Sequence, residues 1–247
     1  MSKSKKSLAI LVFADGASSG NPGPGGWGSI IAHPSGEVQE LGGGERLTTN
    51  NKMELMGVIR ALEFLKTTSG DVDICTDSTY VIRGITQWIW GWRKREWKTA
   101  AGGEVANADL WKKLFALVSA RRTLGKIDWK YVRGHSGIPG NERVDEIAVE
   151  FTQGRRPRLY SGPLLKYDVA VYDLPDDTSL PPEKPRGEPK PKVHSYLSLV
   201  GGVAQRHTDW ADCERRVKGR SGAKFKKTMS AAEEKEILEN WGAKLDE

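Results

Sequence analysis

The stretch Gly20-Asn-Pro-Gly-Pro-Gly25 does more than any other to limit how this chain can fold. Proline fixes φ and lacks an amide proton, while glycine reaches backbone angles closed to other residues, so a run of this kind makes turns. It separates the apolar run Leu8 to Ala14 from Gly25-Gly-Trp-Gly-Ser-Ile-Ile-Ala32. Strand-like runs joined so closely pair antiparallel, because a parallel crossover needs a dozen or more residues. Glu37 to Leu47 reads as a third, glycine-interrupted strand. The period then changes. Asn50 to Lys66 reads as a helix, with Met53, Met56, Val58, Ala61, Leu62 and Leu65 on its apolar stripe. A strand (Val72 to Thr76), a helix from Ser78, a Trp-rich basic stretch and a helix (Asn107 to Arg121) follow, then a strand (Ile127 to Val132) and a helix (Asn141 to Phe151). Three antiparallel strands followed by strands alternating with helices predict an α/β fold, a mixed five-stranded sheet flanked by helices.

Four acidic residues sit at special points of that pattern. Asp15 ends the first apolar run, Asp77 follows Val72-Asp-Ile-Cys-Thr76, and Glu54 and Asp145 lie early in predicted helices. Carboxylates at strand ends and on inner helix faces are costly unless a positive charge neutralises them. Several that converge form a site for hard divalent cations, with Mg²⁺ the usual candidate.

The chain of 247 residues allows one full-sized domain and a small second one. Lys3, Lys5 and Lys6 precede Leu8 to Ala14 as in a signal peptide, but the run stops at Asp15 without a cleavage pattern and reads as a first strand. No apolar run approaches the roughly 20 residues of a membrane span. Cys75 and Cys213 form no metal or redox motif and read as free thiols of a reducing, cytoplasmic protein. The net charge of +6 is concentrated. One cluster is Arg93-Lys94-Arg95 with Lys98; another, Arg206 to Lys227, holds eight Lys/Arg against three Asp/Glu. Such patches favour polyanions, nucleic acid first, although either alone is equally an ordinary solvated face. Eight of the twelve prolines fall between residues 154 and 192, which reads as a linker between a domain at 1–153 and a small αβ module at 193–247. Within it, Leu164 to Leu174 is apolar enough to form a strand or pack on the first domain.

Asp15 with Gly20-Asn-Pro-Gly-Pro-Gly-Gly26, Thr49-Asn-Asn-Lys-Met-Glu54-Leu, Thr76-Asp77-Ser and Gly134-His135-Ser-Gly-Ile-Pro-Gly-Asn-Glu142-Arg-Val-Asp145-Glu resemble type 1 ribonuclease H over residues 7 to 151, in the family's order and spacing. The resemblance implies an endonuclease that hydrolyses the RNA strand of RNA–DNA hybrids, leaving 5′-phosphate and 3′-hydroxyl ends. It implies that Asp15, Glu54, Asp77 and Asp145 hold two Mg²⁺ ions roughly 4 Å apart, with Mn²⁺ a possible substitute. His135, on a glycine-flanked loop, becomes a proton carrier for the leaving group, and Glu142 an assistant near the metals. Backbone groups at Gly16 and Ala17, and the amides of Asn50 and Asn51, become readers of the 2′-hydroxyl; as plain helix N-caps the two asparagines would need no such role. Thr49 matches a position that contacts DNA phosphate, and Thr79 departs from the glutamine often found there. Arg93, Lys94, Arg95 and Lys98, interleaved with Trp88, Trp90, Trp92 and Trp97, match a basic protrusion that grips the DNA strand, with half of these tryptophans expected in the core. The catalytic domain is expected to be monomeric.

Trp210-Ala-Asp-Cys-Glu-Arg-Arg-Val217-Lys-Gly and Gly222-Ala-Lys-Phe-Lys-Lys227 resemble the small hybrid-binding domain of eukaryotic ribonucleases H and caulimovirus viroplasmins, here placed after the catalytic domain. Trp210 and Phe225 would lie along DNA, with Lys226 and Lys227 on phosphates. Two features depart from that pattern: the start is reduced to Tyr196 followed by Leu199-Val-Gly-Gly-Val203, and the last helix carries Glu233, Glu234 and Glu236. The alternative for the whole chain is a non-catalytic protein that binds RNA–DNA hybrids or double-stranded RNA.

Overall fold

A computed structural model describes residues 8–183 and 193–245. The lysines at 3, 5 and 6, and residues 184–192 of the Pro-rich stretch, lie outside the described residues. The chain divides into two compact units, Met1–Pro181 and Pro182–Glu247.

In the first unit, β1 (Ile10–Ser18), β2 (Gly23–Ala32) and β3 (Glu37–Thr48) form an antiparallel meander. Helix α1 (Asn50–Phe64) returns the chain to β4 (Val72–Thr76), which lies parallel to β1, and β5 (Ile127–Tyr131) adds parallel to β4. Between β4 and β5 come α2 (Thr79–Arg83), one π-helical turn (Gly84–Trp88), α3 (Ile89–Lys94) and α4 (Ala108–Arg121); α5 (Pro139–Thr152) follows β5. Alternation along β1 sends Ile10, Val12 and Ala14 to one face, under α1 and Trp111 of α4, and Leu11 and Phe13 to the other, with Val144 of α5. Helix α5 lies directly on the sheet: a Cβ added at Gly28 would stand 2.4 Å from the Val144 carbonyl oxygen, so only glycine permits this approach.

The sheet has six strands, in the order β5-β4-β1-β2-β3-β6, one more than the sequence pattern predicts. Its extra edge is β6 (Ser161–Pro163), paired antiparallel with Glu37–Gln39. The reading of 154–192 as linker is corrected accordingly. Residues 155–181 form a strap that starts at the β3 edge and buries Val171 against the core face beside Val144 and Phe13. It reaches the opposite edge, where the Tyr131 amide donates to the Thr178 carbonyl (2.9 Å). The strap is held because one sheet face is not fully covered by α5 and must bury its apolar side chains against something.

In the second unit, β7 (Ser195–Val200) is the centre of an antiparallel sheet flanked by β8 (Val203–His207) and β9 (Lys224–Thr228), with α6 (Trp210–Val217) and α7 (Ala231–Trp241). The apparent weakness of the first strand is a hairpin: Gly201 and Gly202, both at positive φ, turn β7 into β8. Nor is the acidic start of α7 a solvated face. Glu233 accepts from the Met229 amide (2.7 Å) while the Ser230 hydroxyl caps the Glu233 amide, so the acid closes the start of the helix. Glu234 is buried, accepting from Ser195 (2.5 Å) and paired with Arg206.

Candidate active site

β1 and β4 part company after the pair Phe13↔Cys75; Asp15 stands on β1 just beyond that point, still paired with Gly28 of β2, and Asp77 just past the carboxyl end of β4. This is where open α/β sheets present ligand sites. Asp15 is buried and its Oδ1 accepts from the Gly16 amide (2.6 Å). Glu54 projects from the second turn of α1, held at one oxygen by Asn50 Nδ2 (2.9 Å) and at the other by the Ser78 hydroxyl (2.5 Å). Ser78 also caps α2 by accepting from the Val81 amide (3.1 Å), which ties Glu54 to the turn that carries Asp77. Asp77 accepts from Asn141 of α5. The loop after β5 crosses so close that a Cβ on Gly134 would stand 2.3 Å from Asp77 Oδ2. Asp145 lies on α5, with His135 Nδ1 4.0 Å from its Oδ2. His135 takes φ 51° and its side chain is 85 % exposed, reaching from the loop toward solvent.

The four acids feel one another. Burial, then the charge of Asp77, pushes the Asp15 carboxyl up to about 8; the Gly16 amide opposes this, and Asp145 and Glu54 add to it. Burial raises Glu54 as well, offset in part by Ser78, with Asp77 adding to the rise. Burial also raises Asp77, against the pull of Asn141. Such a cluster lacks positive charge, and its all-oxygen donor set suits a hard divalent cation. Among the described residues no group of three or more His, Cys, Asp or Glu side chains stands close enough together to hold a metal ion as placed. Glu54 accepts at both oxygens from protein donors, and Asp15 at one.

The surrounding residues divide. Thr49, not an asparagine, is the N-cap of α1, its hydroxyl accepting from the Lys52 amide (3.4 Å). That leaves Asn51 exposed and Asn50 joined to Glu54, whose backbone passes so close to Gly16 of β1 that a Cβ there would stand 2.2 Å from the Glu54 nitrogen. Glu142 is turned to the histidine loop, where it accepts from the Gly137 amide (2.9 Å). Sequence reading missed Ser78 and Asn141; their signal was adjacency to Asp77 and position one turn before Asp145. Arg93, Lys94, Arg95 and Lys98 are exposed around the end of α3. Arg93 lies over the Phe115 ring at 4.1 Å. Trp92 and Trp97 pack on the core, Trp88 touches Tyr80 and Trp92, and Trp90 stands half exposed against Phe115.

In the second unit Trp210 (40 % exposed) and Phe225 (53 %) stand with ring centroids 5.3 Å apart, and Tyr196 adjoins Trp210 at 5.8 Å. Strand alternation puts Lys227 on the Phe225 side of β9 and Lys226 on the other, so the four predicted contacts do not share one face.

The RNase H family model matches residues 7–153. A ribonuclease H of Maricaulis maris (strain MCS10) is 51% identical over 151 residues, covering 60% of this chain and 98% of that protein. One of Polaromonas sp. (strain JS666 / ATCC BAA-500) is 51% identical over 150 residues, 60% of this chain and 92% of that protein. Among solved structures, a type 1 RNase H with the type 2 active-site motif is 33% identical with a TM-score of 0.52, covering 62% of this chain and 77% of that chain. None of these matches covers much more than three fifths of the chain.

Proposed function

The chain belongs to the RNase H family, and we propose on that footing that it is an endonuclease hydrolysing the RNA strand of RNA–DNA hybrids through Asp15, Glu54, Asp77 and Asp145. The observation that carries the assignment of these residues is their convergence from β1, α1, the end of β4 and α5, with the Asp15, Glu54 and Asp77 carboxyls raised by burial and neighbouring charge. The four acids would hold divalent cations, two Mg²⁺ or in their stead Mn²⁺, which when bound supply an activated water and stabilise the departing 3′ oxygen. The remaining work belongs to the chain. Asn50 and Ser78 fix the Glu54 carboxylate, and Asn141 fixes Asp77. His135, on an exposed loop within reach of Asp145, delivers a proton to the leaving oxygen, giving 3′-hydroxyl and 5′-phosphate ends. The backbone at Gly16 and Ala17 and the amides of Asn50 and Asn51 read the 2′-hydroxyl, while Thr49, Arg93, Lys94, Arg95 and Lys98 hold DNA phosphates. All four acids come from one chain, which supports a nuclease complete as a monomer.

We assign residues 193–247 to hybrid binding, with Trp210, Phe225 and Lys227 as one surface and Tyr196 as its extension; the adjacent exposed rings support this. Lys226, on the other side of β9, would meet a neighbouring phosphate. The test is Asp145→Asn: cleavage of a labelled hybrid is lost while hybrid binding in EDTA stays within about twofold. Cleavage retained at the wild-type rate would remove Asp145 from the site.

A further inference from the structure

Glu40 is a charged residue in the middle of a sheet strand, and it is 0 % exposed. Its side chain lies on the α5 face of the sheet, the face of Phe13 and Ile30, and it takes no part in the chemistry described above. Its carboxylate is nevertheless fully engaged. Oε1 accepts from Arg143 Nε (2.8 Å) and the Tyr167 hydroxyl (2.7 Å); Oε2 accepts from Arg143 Nη2 (3.0 Å) and the Tyr160 amide (2.8 Å). The two-pronged Arg143 contact fixes direction as well as distance. One side of this junction is therefore α5, and the other is the strap. Arg143 also donates to the Arg158 carbonyl (3.3 Å), and the rings of Tyr160 and Tyr167 lie against each other at 4.8 Å.

Arg143 stands two residues before Asp145. Between them Val144 packs in the same apolar cluster as Val171 of the strap. Two of the three residues ahead of Asp145 are thus gripped, one by a buried ion pair and one by apolar contact with a segment beyond residue 153, where the family match ends.

We propose that Glu40 is a positioning residue of the nuclease: acting through Arg143, and closed off from water by the strap, it sets where α5 carries Asp145. The inference rests on Asp145 being one of the four acids of the nuclease reading. A buried carboxylate kept in a strand costs folding energy unless its partners are all in place. Here those partners join β3, α5 and the strap at one carboxylate; α5 and the strap share a second, more exposed pair, Glu150 with Arg155, near the carboxyl end of the helix, beyond Asp145.

The test uses the full chain with Glu40→Gln, and with Tyr167→Phe as a milder variant that retains the ion pair. Three readouts are taken: hybrid cleavage kinetics, Mg²⁺ titration by calorimetry, and amide hydrogen exchange of metal-free protein. Glu40→Gln is expected to lower kcat on the order of tenfold with KM changed less than twofold, as for other residues that orient a ligand from behind. It should weaken Mg²⁺ binding in the wild-type background but not when Asp145→Asn is already present. Exchange should quicken over residues 139–147 before the rest of the sheet. Tyr167→Phe should show the same pattern at smaller size, which preserves the test if Glu40→Gln folds poorly. Equal weakening of Mg²⁺ binding with and without Asp145, or uniform loss of protection across the unit, would overturn the proposal. Should the wild type fail to cut hybrids, the nuclease reading falls while the exchange pattern still reports on Glu40 and α5.

Discussion

Asp15 bears its charge badly in the metal-free protein, because burial and the charge of Asp77 hold its carboxyl protonated up to about 8. Its folded pKa lies above the unfolded value of about 3.9, so the group takes up a proton on folding. Its contribution to stability is full below that unfolded value and lost as the pH rises through 8. Glu54 and Asp77 are shifted in the same direction. In EDTA the thermal midpoint should therefore fall as pH is raised from about 5 to 8.5; Asp15→Asn should flatten that slope, and Mg²⁺ should reverse it by binding the ionised form. A flat EDTA profile for the wild type would contradict the electrostatic account. His135 makes a separate prediction: His135→Ala should lower kcat by about 10²-fold, the lower end for a lost proton carrier, with KM unchanged. An unaltered rate would leave the histidine structural. Asp15, Asp77 and His135 were legible in the sequence because they follow apolar runs or sit in a glycine loop, where a charge needs a reason, and Glu54 and Asp145 because they stand early in apolar-periodic helices. Glu40 was not: an acid in a strand reads as facing solvent, and its partners lie 103 and 120 residues away.

At the scale of elements, the strap is the largest departure from the sequence pattern. Prolines and charges gave residues 155–181 the composition of a linker, while β6 is three residues long and Val171 is the only strap residue fully buried in the core face. Neither leaves a periodic signal. Val171→Asp would bury a charge without a partner and should cost about 3 kcal/mol, lowering the thermal midpoint by roughly 10 °C. Ending the chain at Pro181 should leave the midpoint of the first unit unchanged, whereas ending it at Gly154 should lower it and expose Glu40. Equal midpoints for the two shortened chains would make the strap an ornament. The second unit was legible in its helices and β9, but β8 escaped notice because Gly201-Gly202 reads as a break in one strand rather than a turn between two.

For the whole molecule, division into two units separates chemistry from a second cationic surface. Among the described residues no helix is long and apolar enough to cross a membrane. If the second unit binds hybrid, tethering raises the local concentration of substrate without altering the reacting groups. Trp210→Ala with Phe225→Ala should then raise KM roughly tenfold, the loss of about one stacked base, and leave kcat unchanged. An unchanged KM would assign the module another role.

The central claim is tested most directly by offering one labelled strand in four settings, RNA–DNA, RNA–RNA, DNA–DNA and single-stranded RNA, each with Mg²⁺ or EDTA. The account predicts cutting confined to the RNA of the hybrid, dependent on Mg²⁺, with 5′-phosphate products. Hybrid bound but uncut in both Mg²⁺ and Mn²⁺ would contradict it and leave a binding protein.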